Sequence, residues 1–200
     1  MTRNPADARV RALTHAFMDD PVVGFLCPDL ATRSALLHVG MTFIVGLGLR
    51  CGGDVGEVSH SGKCAGTIVA FAPRRYPAPL IGAAIEGVKA LRLLPCARMP
   101  WRSGALGLRL LSYFEKRHPQ EPHWYILVIG VDPEFQGKGK GAELFAPVLR
   151  RADQEQQAVY LESSNPRNLR FYERHGFRVV SEERPVQGCP PIFPMWRSPG

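Results

Sequence analysis

Residues 136–141 read Gln136-Gly137-Lys138-Gly139-Lys140-Gly141, just after an apolar stretch over residues 125–131 and the pair Asp132-Pro133. Glycines at alternate positions let the backbone curl and come close to a ligand. Their N–H groups join the unpaired donors of a helix that starts here, making an anion-binding concavity at the positive end of that helix. Lys138 and Lys140 add positive charge at the rim, and a pyrophosphate suits such a site. A solvated glycine turn has the same composition. What favours the anion site is its place between an apolar strand and a helical run. The spacing departs from GxGxxG and leaves too little chain behind it for a doubly wound dinucleotide domain. A P-loop is excluded, because no Gly-Lys-Ser/Thr follows the required spacer.

A second group lies about thirty residues on. Ser163-Ser164-Asn165-Pro166-Arg167-Asn168 leaves a strand and enters a helix, with Asn165 suited to the N-cap and Pro166 to the first helical position. Gly176 ends that helix. Asn168 and Tyr172 are four apart and share a helix face, whereas Phe171 and Phe177 are most simply core. His123 and Tyr125, two apart, lie on one face of their strand. Glu162 sits at the end of a neighbouring strand, and Asp19 and Asp20 are candidates for lining the mouth of a site.

The elements that must position these residues follow from periodicity and breakers. Apolar residues at Val10, Leu13, Phe17 and Met18 predict an amphipathic helix over 6–18, ended by Asp19-Asp20-Pro21, with a surface loop over 21–29. A helix is predicted over 32–49, then strands over 56–60 and 64–71 joined by a turn at Ser61-Gly62. The prolines of residues 73–79 mark a boundary. Two helices over 80–94 and 101–116 come next, then strand 123–131, helix 139–157, strand 159–162, helix 166–175, strand 177–182 and an extended piece over 191–197. Strands alternating with helices predict an α/β or α+β layer architecture.

Composition sets outer bounds. The chain has 200 residues, enough for one domain with a full core. Its net charge of +7 favours anionic partners, yet the basic residues are scattered, so no nucleic-acid partner is expected. Cys27, Cys51, Cys64, Cys96 and Cys189 are odd in number and form no CxxC pair, so neither a disulfide framework nor a metal site is expected. The apolar run over 39–49 is shorter than the roughly 20 residues of a membrane span. It is expected to be a core segment, and the protein to be cytoplasmic, with no membrane partner.

Val131-x-Pro133-x-x-Gln136-Gly137-x-Gly139-x-Gly141, then Tyr160-Leu161-Glu162, then Asn165-x-x-Asn168-x-x-Phe171-Tyr172-Glu173-x-x-Gly176-Phe177, resembles the pattern of the GNAT N-acetyltransferase superfamily. The resemblance runs from about residue 123 to the end of the chain. Within the superfamily the chain is similar to puromycin N-acetyltransferase-like members, through His123-Trp124-Tyr125, Pro147 inside a helix, and Met195-Trp196-Arg197-Ser198-Pro199.

The resemblance implies a mixed, mostly antiparallel central sheet flanked by helices. It implies one acetyltransferase domain over 1–200, with a helical insertion at 79–118 and a cofactor-binding core at 123–177. The family's first edge strand has no counterpart before the first predicted helix. Acetyl-CoA is the implied acyl donor, with no metal, and a small-molecule primary amine the implied acceptor. Backbone at Ile129, Gly130 and Val131 is then expected to hold the pantetheine arm and thioester. Residues Gln136, Gly137, Lys138, Gly139, Lys140 and Gly141 are expected to hold the pyrophosphate, and Asn168 to contact the arm. The resemblance makes Tyr172 the proton donor to the leaving thiolate, and Glu162 and His123 are the candidates for general base. A protein N-terminal or lysine acetyltransferase and a non-catalytic acyl-CoA-binding module are the alternatives.

Overall fold

The computed structural model describes residues 5–77, 80–97 and 101–200. Helices α1 (Pro5–Ala16), α2 (Pro21–Leu26) and α3 (Leu30–Arg50) precede strands β1 (Asp54–His60) and β2 (Lys63–Phe71). Helices α4 (Leu80–Ala97) and α5 (Trp101–Arg117) then stand between β2 and β3 (His123–Val131). The remainder alternates: α6 (Lys140–Gln154), β4 (Ala158–Ser163), α7 (Leu169–Glu173), β5 (Arg178–Val179) and β6 (Phe193–Arg197).

The six strands form one sheet in the order β1-β2-β3-β4-β6-β5, antiparallel throughout except for the parallel pair β3 and β4. A parallel pair needs a crossover, and α6 supplies it. Among the described residues no strand precedes α1, and β1 forms one edge of the sheet.

Helices cover both faces of the sheet. Phe145, Val148 and Ala152 of α6 pack with Phe177 against Ile126, Val159, Leu161 and Met195 on one face. On the other, Val10 and Leu13 of α1 and Met41 and Val45 of α3 pack against Val69, Phe71 and Val128. Arg197 closes the carboxyl end: its guanidinium makes two bonds of 2.7 and 2.8 Å to Asp153 of α6 and donates to the His175 carbonyl at 3.0 Å.

Several expectations need correction. Residues 21–29 are not simply a loop, because Pro21–Leu26 is helical. Asp20, which the sequence suggested as a stop, is its N-cap, its side chain accepting the N–H groups of Val22 and Val23. Asp-Pro serves a helix start as well as a helix end. The helix expected over 166–175 is a 3-10 turn at Pro166–Asn168 followed by the short α7. The strand expected over 177–182 is only Arg178–Val179.

The apolar run over 39–49 lies inside a 21-residue helix that, by length and composition alone, is long enough to cross a membrane. In the fold this helix packs against α1, α4 and the first two strands. Helix α4 also runs past Pro95, where a break was expected; residues 98–100, including Arg98, lie outside the described residues.

Candidate active site

Strand β3 pairs with β2 from Tyr125 to Val131 but with β4 only at His123, Trp124 and Tyr125. Beyond Tyr125 and its partner Tyr160 the two parallel strands part, β4 continuing along β6 instead. The register of β2 and β3 also slips once, Val69 facing Val128 and Ala70 facing Ile126, so Leu127 is an extra residue on β3. Past this bulge the N–H of Asp132 donates to Ala65 of β2 at 2.9 Å. By alternation the N–H groups of Ile129 and Val131 point the other way, into the opening. The Val131 carbonyl on that side accepts the Gln136 amide at 3.0 Å. Gly130 faces α1, where a Cβ would stand 2.8 Å from that of Ala16.

The glycine loop closes one end of the opening. Gly137 and Gly139 adopt φ of 75° and 74°, the left-handed region, and a Cβ on either would meet nothing within 4 Å. Gly139 is the N-cap of α6 and supplies no side-chain oxygen, so the first N–H groups of a 15-residue helix keep no cap from it. Gly141 is different, since a Cβ there would press on Phe171 at 3.1 Å. The two lysines are not idle at the rim. Lys140 pairs with Glu143 at 2.7 Å, and Lys138 donates to the Glu134 carbonyl at 3.1 Å. His15 of α1 holds the loop's approach through Asp132 at 2.7 Å.

On the α1–α3 face, where β3 and β4 begin to part, Glu162 stands in a box of rings. Tyr125 donates to one of its oxygens, Oε2, at 2.9 Å, while Oε1 is buried without a hydrogen-bond partner. Burial pushes the carboxyl up to about 7, against the pull of the Tyr125 and Tyr160 hydroxyls. Tyr76, His118 and Tyr125 pack ring against ring at 4.6–5.2 Å between centroids. His123 packs on His118, Tyr160 and Trp196. Burial lowers both histidines, His118 to about 4, so both are neutral at pH 7. The Nδ1–H of His123 donates to the Glu121 carbonyl at 2.6 Å, which leaves its Nε2 a bare, buried acceptor.

Tyr172 of α7 is buried against Phe145, and its hydroxyl has no hydrogen-bond partner among the described residues. Burial, then the charge of Asp20, raise its ionisation well above the ordinary phenol range. Asp20 does not line an open mouth; it is buried, bonded to the start of α2 and to the Ser164 hydroxyl. Asn168 ends the 3-10 turn exposed to solvent, with no capping bond from its side chain. Tyr125, Tyr160 and Glu162 on one side, and Tyr172 on the other, thus flank the place where β3 and β4 separate. Spacing placed Tyr172 on a helix face with Asn168, and His123 on a strand face with Tyr125; the family resemblance gave Tyr172, Glu162 and His123 their expected roles. Sequence reasoning missed Tyr76 and His118, which come from connecting segments, and Tyr160, although its two-residue offset from Glu162 placed it on the same face. Among the described residues no cluster of three or more His, Cys, Asp or Glu could hold a metal ion.

Comparison with known proteins bears on this architecture. Residues 55–177 match the model of the acetyltransferase (GNAT) family. A 54-residue stretch is 43% identical to an uncharacterised N-acetyltransferase of Schizosaccharomyces pombe, over 27% of this chain and 22% of that protein. A 65-residue stretch is 42% identical to mycothiol acetyltransferase of Propionibacterium freudenreichii, over 31% and 21%. The matched stretch thus spans about a fifth of the length of these curated relatives. A Corynebacterium glutamicum structure described as histone acetyltransferase and related acetyltransferase superposes on 100% of this chain and 95% of its own, with TM-score 0.66 at 23% identity. A Pyrococcus horikoshii structure does so over 100% and 96%, with TM-score 0.58 at 15% identity. At such identities these two structures speak for the fold alone. With the family match covering residues 55–177, from β1 through α7 to Phe177, the chain belongs to the GNAT acetyltransferase family.

Proposed function

We propose that the protein is an acetyl-CoA-dependent N-acetyltransferase acting on the primary amine of a small molecule. The observation that carries this reading is the separation of β3 from β4 beyond Tyr125, with Glu162 and Tyr172 on either side of it. The residues present fit the donor. A pantetheine arm can lie along the free edge of β3 as an added strand, the outward N–H groups of Ile129 and Val131 meeting its amides and thioester oxygen. The open concavity over Gly137 and Gly139, at the N-terminus of α6, suits a pyrophosphate. Gln136, Lys138, Lys140 and Gly141 shape the rim of that concavity, Gly130 seats β3 against α1, and the exposed side chain of Asn168 is assigned to the arm by the family resemblance.

The donor supplies an activated acetyl group as a thioester. Glu162 takes the proton of the incoming ammonium. The freed nitrogen attacks the carbonyl carbon, forming the C–N bond as the C–S bond breaks. The N–H groups at Ile129 to Val131 stabilise the negative charge that develops on the carbonyl oxygen. The departing sulfur receives a proton from Tyr172, and the surplus proton shed by the new amide nitrogen returns that phenol to its protonated form by way of solvent. A thiol ionises near ~8.5 and this phenol is raised above ~10, so Tyr172 works by placing an O–H donor at the sulfur. Glu162 rather than His123 is the base because His123 lies in the paired part of β3, opposite Ala158, away from the opening. In the family resemblance, puromycin is one candidate acceptor.

Calorimetry with acetyl-CoA tests the donor site. A side chain at Gly139 costs roughly 1–2 kcal/mol of left-handed strain and fills the concavity. Gly139→Val is therefore expected to weaken acetyl-CoA binding by about tenfold or more. Equal binding by wild type and variant would remove the loop from the site.

A further inference from the structure

A cleft of about 630 Å³ lies between the C-terminal half of α5 and the β5–β6 side of the sheet, and none of the residues assigned to the donor lines it. Phe114 and Arg117 of α5, Tyr160 of β4 and Trp196 of β6 form its walls, and Glu121 and Glu183 also line it. Three of these are aromatic. The charged groups number two carboxylates and one guanidinium, on a chain whose net charge is +7, so the cleft is locally the reverse of the molecule around it. Glu183 is fixed there by the Tyr113 hydroxyl and by Ser181 at 2.8 Å, contacts that keep it ionised. The Arg117 guanidinium already lies over the Tyr113 ring at 3.9 Å. Tyr160 is shared: its ring borders the cleft, and Glu162 follows two residues on along the same face of β4, roughly 7 Å away.

We infer that this cleft holds the body of the acceptor, a planar aromatic group whose primary amine sits on an arm long enough to pass Tyr160 and reach Glu162. The inference rests on the proposed acetyl transfer and names its acceptor class. Aromatic walls favour a ring in offset or edge-on contact and also attract a cation, and the carboxylates complement the ammonium as it enters. An aliphatic polyamine leaves the ring contacts unused. An acidic acceptor meets two carboxylates and an arginine already engaged by a ring. The volume lies within the range of ordinary small-molecule sites.

Tyramine, phenethylamine and putrescine, offered with acetyl-CoA, provide the test. The two aryl amines are expected to exceed putrescine in kcat/KM by about tenfold or more. Trp196→Phe and Phe114→Ala are expected to raise the KM for tyramine several-fold, with the KM for acetyl-CoA unchanged within about twofold. Independently of turnover, phenethylamine should change the intrinsic fluorescence saturably, and Trp196→Phe should abolish the change. Circular dichroism identifies a variant that fails to fold, and the other variant then carries the test. Putrescine preferred over both aryl amines, or no saturable fluorescence change with phenethylamine, would overturn the inference and leave the acetyltransferase reading intact. Saturable phenethylamine binding at Trp196 without acetylation of any amine would support the cleft as an aryl-amine site and sink the transfer reading.

Discussion

Glu162 has one oxygen held by Tyr125 and one bare, and burial lifts its carboxyl to about 7. A base must be ionised to act, so activity is expected to rise with pH through that value and level off above it. Glu162→Gln should lower kcat by about a hundredfold or more and erase that limb of the pH–rate profile; a limb that survives in the variant assigns it to another group. The same lifted ionisation bears on stability. The folded state holds this proton more tightly than the unfolded chain, whose carboxyl ionises near the ordinary 4.5. The stabilising contribution is therefore complete below about 4.5 and lost as pH rises through about 7. Glu162→Gln should thus gain thermal stability relative to wild type at about pH 8 compared with about pH 4. Tyr172 stays protonated across the accessible range, so its removal costs a donor rather than a titration. Tyr172→Phe is expected to reduce kcat by roughly ten- to a hundredfold, with no new limb in the pH profile. The positions of these residues on strand and helix faces were legible in the sequence, because alternation and helical spacing act over a few residues, while their expected roles came from the family resemblance. The box around Glu162 was not, since Tyr76 and His118 reach it only through the path of the chain between β2 and β3.

Elements with strong periodicity came out close to their observed bounds: β3 agrees at both ends, and α3, α5 and α6 to within three residues. The misses have local causes. Helix α2 is six residues long and carries too little periodicity to register, yet its start is among the most heavily bonded points in the fold. Asp20 there accepts from Val22, Val23 and Ser164, joining α2 to the loop that leads into α7. Arg33 adds a second clamp, donating to the carbonyls of Met18, Cys27 and Pro28 at 2.8–2.9 Å. Neither tie has a sequence signature, because each joins segments by tertiary contact. Asp20→Ala should lower unfolding stability by about 2–3 kcal/mol, measured by urea denaturation, since it leaves a helix start and the half-buried Ser164 hydroxyl without their acceptor. Helix packing carries similar hidden constraints. A Cβ at Gly46 of α3 would collide with Glu86 Oε2, the buried carboxylate of α4 that pairs with Arg50 across the α3–α4 contact and with Lys89 on its own helix.

At the scale of the molecule, a sheet covered on both faces opens between its two parallel strands, and the helices of each face bring different groups to that opening. Helices α6 and α7, with the glycine loop, bring the open concavity over Gly137 and Gly139 and Tyr172; the face carrying α1 and α3 brings Glu162 and its ring box. The family pattern was legible because it lies in one continuous stretch from β3 to α7. The cleft proposed for the acceptor draws on α5, β4 and β6, which meet only in the folded chain. The central claim is direct transfer from acetyl-CoA to an amine nitrogen. A single-turnover reaction of protein, acetyl-CoA and tyramine or puromycin, followed by mass spectrometry, tests it most directly. The expected result is one acetylated amine for each CoA released, with the protein mass unchanged throughout. Thiol release without an acetylated amine, or an acetyl group retained on the protein, would contradict it.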